Sequence, residues 1–393
     1  MIASFFTVPA SVWRMVFAQG LSMTVMNVNI INTGLAGAIL APELWMATLP
    51  LSLQFVAVML ATLPASLLMA RFGRRPVFLC GVAISVTATA VQAIAIITGQ
   101  FGLFMAGSVL LGCAHGVAQF YRYAAADGLT DELKPKAVSF VLLGGLAAAL
   151  IGPEIAYRFV DTVDGARYAG AFIGAGVLHL LGFFVLAGMD SPKPPQNPSA
   201  GRDMSVFFAL PGFRLGLVAA AIGYAVMSFL MTATPLQIVN VSQLGVAENA
   251  RVIQWHVIAM FAPSFFTGHL IARLGIRQVM AAGLVMYGLC IIAALSGTGF
   301  WDYFAALLLL GLGWNFLYVS GSTLIARIAA PEERGRVQGV ADLIIFAAVA
   351  VASLSAGALH SAIGWSGLVL VCLIPVGVIG CAVLLTTRRA LKI

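Results

Sequence analysis

Long apolar runs alternate with short polar segments along the whole chain of 393 residues. Cutting the sequence at charged residues and at clusters of Pro, Gly and Asn leaves twelve apolar spans. A run of about twenty apolar residues crosses a hydrocarbon core of about 30 Å as an α-helix. The pattern therefore predicts an all-α polytopic membrane protein with twelve transmembrane helices, at residues 12–38, 44–70, 76–98, 101–125, 136–159, 166–188, 209–238, 248–272, 278–297, 301–327, 337–359 and 363–386.

The composition supports this class, because 61% of the residues are apolar and only 9% are charged. A soluble domain carries about a quarter of charged residues. A transmembrane β-barrel is excluded, since its strands alternate apolar and polar positions over about ten residues. The net charge of +7 does not indicate nucleic-acid binding, because the basic residues lie in short loops between apolar spans.

The basic residues also predict the orientation in the membrane. Sixteen of the 21 Lys and Arg residues fall on one side if both termini are placed in the cytoplasm. Cytoplasmic loops of membrane proteins carry such an excess of positive charge. We therefore expect a protein of the inner membrane with both termini cytoplasmic.

One polar segment divides the chain almost equally. Residues 190–203 contain four prolines together with Ser, Asn and Gly. Such a composition neither continues a helix nor buries apolar surface. The sequence therefore predicts an N-terminal six-helix bundle at 1–189, a cytoplasmic linker at 190–207 and a C-terminal six-helix bundle at 208–393.

The two halves share a short motif between their second and third spans, at 66–75 and at 268–277. Arg71, Gly73 and Arg75 match Arg273, Gly275 and Arg277 at a constant offset of 202 residues. A weaker match links 134–136 to 334–336 at an offset of 200. An offset equal to six spans and the linker indicates one six-helix module repeated in the same sense.

The motif at 66–75 is similar to the signature G-x-x-x-D-R-x-G-R-R/K of the major facilitator superfamily, and the likeness covers essentially the whole chain. The resemblance implies two pseudo-symmetric bundles, transport by alternating access and a cytoplasmic latch between the bundles. The latch candidates are Arg71, Gly73, Arg74, Arg75, Asp127, Arg273, Gly275 and Arg277. Glycine permits the tight turn, and the arginines can bind opposite charge or helix C-termini. Ser66 and Ala70 depart from the signature, so the usual acidic member is missing.

Charged side chains inside a membrane cost about 2.5–3.5 kcal/mol each and are therefore functional candidates. Glu154 and Asp342 are carboxylates within spans, and His115 is a further candidate for proton coupling. Asp342 is also a candidate for the acid missing from the latch. In the alternative interpretation Glu154 is a wetted residue paired with Arg158, and Asp342 is hydrated at the membrane interface.

Polar and aromatic side chains occur on spans one, four, seven and ten, which line the central cavity in the family that the chain resembles. The cavity candidates are Asn27, Asn29, His115, Gln119, Arg122, Tyr224, Ser228, Trp314, Asn315 and Tyr318. Spacings of four and three residues place His115, Gln119 and Arg122 on one helical face. Amides, hydroxyls and aromatic rings suit a neutral or heteroaromatic solute. The alternative is that these side chains hydrogen-bond between helices of one bundle.

These features predict a secondary transporter that moves a small organic solute across the inner membrane by alternating access, with proton coupling. The sequence has no GxxxxGK[S/T] loop, so we expect a gradient to supply the energy. It has neither an HExxH motif nor a nucleophile with its base, so we expect no enzymatic activity. We also expect a monomer without cofactor, metal or nucleic-acid partner. Uptake of a nutrient or vitamin-like solute and efflux of a drug or metabolite are both compatible with the residues, and a channel or an intramembrane enzyme is the remote alternative.

Overall fold

The computed structural model describes residues 9–125, 134–189, 202–330 and 333–386, and every regular element in these ranges is helical. Asp127 lies outside the described residues. The first half contains α1 (Ala10–Leu40), α2 (Leu49–Phe72), α3 (Arg74–Thr98), α4 (Phe101–Ala118), α5 (Tyr121–Ala124), α6 (Lys134–Arg158) and α7 (Ala169–Ala187). The second half contains α8 (Met204–Ala209), α9 (Pro211–Pro235), α10 (Val246–Phe261), α11 (Ser264–Leu274), α12 (Ile276–Ser296), α13 (Phe300–Ile328), α14 (Arg334–Val371) and α15 (Leu373–Leu385).

The chain divides into two compact units, Met1–Pro194 and Pro195–Ile393. In the first unit α1 packs on α6 and α7, α2 packs on α4, and α3 packs on α4 and α7. In the second unit α9 packs on α14 and α15, α10 packs on α13, and α12 packs on α13 and α15. Each of these five contacts of the first unit thus has a counterpart in the second unit, in the same order along the chain, as an internal repeat requires.

The membrane spans follow the predicted pattern. By length and composition, nine described helices could cross a membrane, or ten if α10 and α11, which are bent by 42°, form one span. One of the nine is a long apolar segment that holds the two predicted spans 337–359 and 363–386. Gly364 breaks this segment with a left-handed φ of 68°. The break at Gly364 divides this segment into two spans, and α6 corresponds to the span predicted at 136–159. Together with the bent pair α10 and α11, the helices are consistent with the twelve predicted spans of an all-α, two-bundle membrane protein.

The repeated motif forms the same turn in both units. Gly73 joins α2 to α3 with a φ of 86°, and Gly275 joins α11 to α12 with a φ of 93°. Only glycine adopts such angles without steric strain. The expectation that these glycines make tight turns is confirmed.

The short helix α8 begins at Met204, inside the predicted linker 190–207. Asp203 caps this helix, because its Oδ1 accepts a hydrogen bond of 2.8 Å from the backbone N–H of Ser205. Phe207 is fully buried. A capped and packed helix therefore begins at Met204, before the end of the linker that the sequence predicts at 190–207.

Arg202 connects the segment before α8 to the loop between α13 and α14. Its Nε and Nη2 atoms donate to the Glu333 carboxylate at 2.9 and 2.7 Å, and its backbone N–H donates to the same group at 2.9 Å. The Glu333 side chain is only 8% exposed, whereas the Arg202 side chain is 47% exposed. These hydrogen bonds from Arg202 lower the pKa of the Glu333 carboxyl to about 2.

We expect the contribution of Glu333 to stability to depend on pH. A carboxyl whose pKa falls on folding stabilises the protein above its unfolded pKa of 4.5, and this contribution is lost as the pH falls towards about 2. The difference in melting temperature between the protein and its Glu333→Gln variant should therefore be largest near pH 7 and shrink below pH 4.5. Asp161→Asn is the control, because the Asp161–Arg167 pair is well exposed and should contribute little at any pH. A difference that does not change with pH would contradict this interpretation.

Candidate functional site

The second unit contains a cluster of aromatic side chains from four helices. Tyr224 lies on α9, Phe261 on α10, Trp314 and Tyr318 on α13, and Phe346 on α14. The rings of Trp314 and Tyr318 are stacked, with centroids 4.8 Å apart and planes at 10°. Tyr224 meets both of them edge-on, at 5.3 and 5.5 Å. We call these five residues the aromatic cluster.

The spacing of α13 explains the stack, because residues four apart lie on the same face of a helix. The sequence predicts this pair as neighbours, and the structure brings Tyr224 of α9 to them. Ser228 follows Tyr224 by one turn and is buried. Phe261 and Phe346, each at 6.0 Å from one of these rings, are members that the sequence analysis missed.

The aromatic cluster offers two kinds of interaction to a planar solute. Tyr224 and Tyr318 are half-buried, so their rings are partly accessible, while Trp314 is 5% exposed. The indole Nε1 of Trp314 is buried and has no hydrogen-bond partner among the described residues. A buried donor without a partner is costly, so an acceptor on a bound solute would be favourable here. Ring faces and one free donor suit a heteroaromatic ring system.

Asn315, predicted to line a cavity, is instead used within the second unit. It is completely buried, and its Nδ2 donates to the carbonyl oxygen of Met260 at 2.6 Å and to the Ser264 hydroxyl at 2.7 Å. Its Oδ1 accepts a hydrogen bond of 2.7 Å from Thr267. These contacts surround the junction of α10 and α11, where the bend frees backbone groups that the amide satisfies. Asn315 thus follows the alternative given by the sequence analysis, in which a polar side chain hydrogen-bonds between helices of one bundle.

The two asparagines predicted on the first span also bond within their own unit. The Nδ2 of Asn27 donates to the carbonyl oxygen of Ala148 on α6 at 3.0 Å. The Oδ1 of Asn29 accepts hydrogen bonds from Gln92 on α3 at 3.2 Å and from Thr33 at 3.1 Å. Gln92 in turn donates to Ser108 on α4 at 2.9 Å. Asn27 and Asn29 therefore join helices, as polar side chains commonly do in membrane bundles.

The predicted polar face of His115, Gln119 and Arg122 is not continuous. Helix α4 ends at Ala118, and a turn separates it from the short α5 that holds Arg122. The amide of Phe120 bonds to the carbonyl of Val117, three residues back, which tightens the last turn and shifts the following residues off the α-helical register. Gln119 and Arg122 are half-buried. Gln119 still follows His115 by one α-helical turn, because its amide bonds to the carbonyl of His115 at 3.1 Å. The break therefore separates Arg122 from the face that His115 and Gln119 share.

His115 is buried among polar partners of the first unit. Its Nδ1 lies 3.1 Å from the Nε2 of Gln54 on α2. Its ring is 6.5 Å from that of His179 on α7. Gln54 and His179 were not singled out by the sequence, because a lone Gln or His in an apolar span has no spacing signal of its own.

The two carboxylates differ in their surroundings. Glu154 accepts a hydrogen bond of 2.8 Å from the Nε of Arg158, one turn later on α6, and both side chains are more than half exposed. This is the pairing of the alternative interpretation, and it replaces the expected buried carboxyl. Asp342 is half-buried near the start of α14.

The basic latch candidates lie at helix ends. Arg74 donates to the carbonyl of Phe120, just beyond the end of α4, at 3.4 Å, and Arg277 donates to the carbonyl of Leu384 in the last turn of α15 at 3.4 Å. Contacts of this kind match the expected preference of arginine for helix C-termini. Arg71 and Arg273 are exposed in the last turns of α2 and α11. Arg75 is exposed in the first turn of α3.

Comparisons with known proteins agree with this architecture. The sequence model of the family described as Major Facilitator Superfamily matches residues 12–253 and 252–392. The chain is 38% identical over 352 residues to the riboflavin transporter RfnT of Brucella anthropi, covering 88% of each protein. It is 26% identical over 294 residues to the uncharacterized MFS-type transporter YddS of Bacillus subtilis, covering 70% of this chain and 67% of that protein. The fold is similar to that of the nucleoside transporter NupG, with a TM-score of 0.72 at 12% identity over 95% of this chain and 98% of that one.

Proposed function

The chain belongs to the major facilitator superfamily and is a multi-pass secondary transporter of a small solute, and we propose that this solute is a flavin that it takes up into the cell. The protein is a transporter and not an enzyme. A relative that is 38% identical over 88% of this chain is named for riboflavin transport. Uptake of a vitamin-like solute was one of the two interpretations that the sequence left open.

The stack of Trp314 on Tyr318 carries this proposal. The flavin ring system is planar and tricyclic, with hydrogen-bond acceptors along one edge. The half-buried rings of Tyr224 and Tyr318 could extend the stack over such a plane, and the unpartnered Nε1 of Trp314 could donate to an acceptor on its edge. Stacking of a nucleobase on an aromatic side chain contributes about 1–3 kcal/mol, which is a useful guide for a flavin.

We further infer the arrangement in the membrane and the coupling. The basic loops support an inner-membrane location with both termini cytoplasmic. The repeated motif supports six-helix bundles at 1–189 and 208–393. The exposed arginines at the helix ends support a cytoplasmic latch around Gly73 and Gly275. A proton gradient is the expected energy source, because moving one charge across 100 mV supplies about 2.3 kcal/mol, enough for roughly a fifty-fold gradient of a neutral solute.

Uptake by living cells tests the proposed substrate. The protein is expressed in a bacterium that can neither synthesise nor import riboflavin, and growth and uptake of radiolabelled riboflavin are measured. We expect growth at low external riboflavin and saturable uptake that excess unlabelled riboflavin abolishes. Absence of uptake, together with increased tolerance of the cells to amphipathic drugs, would favour the efflux interpretation and contradict ours.

A further inference from the structure

Two buried histidine rings of the first unit lie near each other, and each has a ring nitrogen without a hydrogen-bond partner among the described residues. His115 on α4 and His179 on α7 are both 5% exposed, and their ring centroids are 6.5 Å apart. The Nε2 atom of each ring is buried and has no hydrogen-bond partner among the described residues. Buried polar atoms in proteins are nearly always paired, so two such nitrogens together call for a function.

The neighbour of His115 fixes which of its nitrogens carries the proton in the neutral ring. The Nε2 of Gln54 is an amide donor and points at the Nδ1 of His115, at 3.1 Å. The same Nε2 also donates to the sulfur of Met26 at 3.3 Å. Because Nδ1 accepts here, the neutral ring of His115 holds its proton on Nε2.

The other end of the Gln54 amide is left without a partner. Its Oε1 is buried and accepts no hydrogen bond among the described residues. A protonated His115 would donate from both nitrogens, and its Nδ1–H would then need an acceptor where the amide donor now stands. Turning the Gln54 amide by half a rotation would supply that acceptor.

We propose that His115 and His179 together bind one transported proton, and that the Gln54 amide turns when the proton binds. The proton enters from the water on one side of the membrane and leaves to the other, so no bond other than N–H forms or breaks. Two positive charges at this separation repel strongly in a membrane interior, so the pair takes up one proton and not two. Its use as the coupling site rests on the proposed transport function.

His115 and His179 are the two histidines of the sequence between residues 1 and 194. Cys113 lies two residues before His115 on the same helix. The charged residues of the packed helices lie towards helix ends, namely Arg14, Arg71, Arg74, Arg75, Arg122, Lys134, Lys136, Glu154 and Arg158. Arg14 donates to the carbonyl of Gly188, and Glu154 is paired with Arg158.

Proton binding at this pair would act on four helices at once. Gln54 belongs to α2, His115 to α4, His179 to α7, and Met26 to α1. When the amide turns, Met26 loses the donor that now reaches its sulfur. The proton would thus change contacts between helices of the first unit without any carboxylate.

The proton site can be tested without a substrate. The full chain is labelled with ¹⁵N-histidine in detergent, and spectra are recorded between pH 5 and 8 for the protein and for His115→Gln, His179→Gln and the control His256→Gln. His256 is a buried histidine of the second unit whose Nδ1 bonds to the carbonyl of Leu307. We expect the signals of His115 and His179 to change together with the uptake of one proton, and each to be altered by loss of the other. Independent titration of the two rings, or no titration of either, would overturn the proposal.

Transport in proteoliposomes tests the coupling. With riboflavin as the probe and an imposed proton gradient of 100 mV, accumulation of up to about fifty-fold is expected for the protein and for His256→Gln. We expect His115→Gln and His179→Gln to lose accumulation and fall to a ratio of about one, while counterflow of riboflavin without a gradient continues. Retained counterflow also shows that the variants are folded. Full accumulation by either variant would exclude this pair as the coupling site.

The two experiments separate the two proposals. If riboflavin is not transported by any variant while the two rings still share one proton, the proposed substrate is wrong and the proton site stands. The variant Gln54→Glu tests the turning amide, because a carboxylate accepts from Nδ1–H permanently. We expect it to keep His115 protonated across this pH range, and a His115 signal unchanged by the substitution would contradict the role of Gln54.

Discussion

Replacing Trp314 by alanine is expected to reduce riboflavin uptake by about one to two orders of magnitude. The indole stacks on Tyr318 and meets the ring of Tyr224 edge-on. Its removal therefore abolishes both ring contacts. Loss of one stacking interaction of about 1–3 kcal/mol corresponds to roughly five-fold to a hundred-fold or more in affinity. The measurement is the initial uptake rate as a function of riboflavin concentration, with the loss expected in the apparent affinity.

Two further variants make this result specific. Trp314→Phe keeps an aromatic ring but removes the Nε1 donor, so we expect a smaller loss than for alanine. Trp301→Ala on the same helix is the control, because Trp301 is 73% exposed and its ring packs against the neighbouring rings of Phe300 and Phe304. Melting temperatures of all three variants show whether an uptake loss follows from unfolding. Normal uptake by a folded Trp314→Ala variant would remove the aromatic cluster from the substrate site.

The sequence predicted the helices and the repeat well, because both depend on local features. An apolar run long enough for the membrane can hardly be anything but a helix. The turns at Gly73 and Gly275 are encoded in the glycines themselves. The sequence predicts the gap between the last two spans at 360–362, whereas the helix breaks at Gly364, because an isolated glycine within an apolar run does not show whether a chain bends or continues.

The site was predicted less well, because polar side chains in a membrane have two alternative partners. An asparagine can face a solute or bond to a backbone carbonyl of a neighbouring helix, and its spacing along the sequence is the same in both cases. Asn27 and Asn315 bond to backbone carbonyls of neighbouring helices, which only the positions of α6 and α10 in the structure show. The role of His115 likewise depends on Gln54 and His179. These residues lie on other helices, and the periodicity of the sequence does not predict which helices are in contact.

The internal repeat nevertheless relates the two candidate sites to each other. Gly112 of α4 packs against the backbone of Gln54, and Gly311 of α13 packs against the backbone of His256, which is 202 residues beyond Gln54. His115 and Trp314 each follow their glycine by three residues, so they occupy equivalent positions in the two units. One module thus presents an imidazole at the position where the other presents an indole. This divergence is what separate tasks in proton binding and solute binding would require.

The close contact at Gly112 leads to the second large expected effect. We expect Gly112→Ala to destabilise the protein severely, because the added Cβ would collide with the carbonyl oxygen of Gln54 and lie 2.6 Å from the Cβ of Ala57. Backbone atoms cannot move aside as a flexible side chain can, so α2 and α4 must separate. Overpacking of this kind costs about 1–3 kcal/mol, of which the better helix propensity of alanine offsets about 1 kcal/mol.

Gly102→Ala on the same helix is the matched control, because a Cβ at Gly102 meets nothing within 4 Å. We expect Gly102→Ala to leave the melting temperature unchanged or slightly raised, and Gly112→Ala to lower it by several degrees and to reduce the amount of protein in the membrane. Separation of α2 from α4 would also lengthen the contact between Gln54 and His115. A Gly112→Ala variant that still folds should therefore lose riboflavin accumulation more than counterflow, whereas an unchanged melting temperature would show that the two helices do not approach as closely as these contacts require.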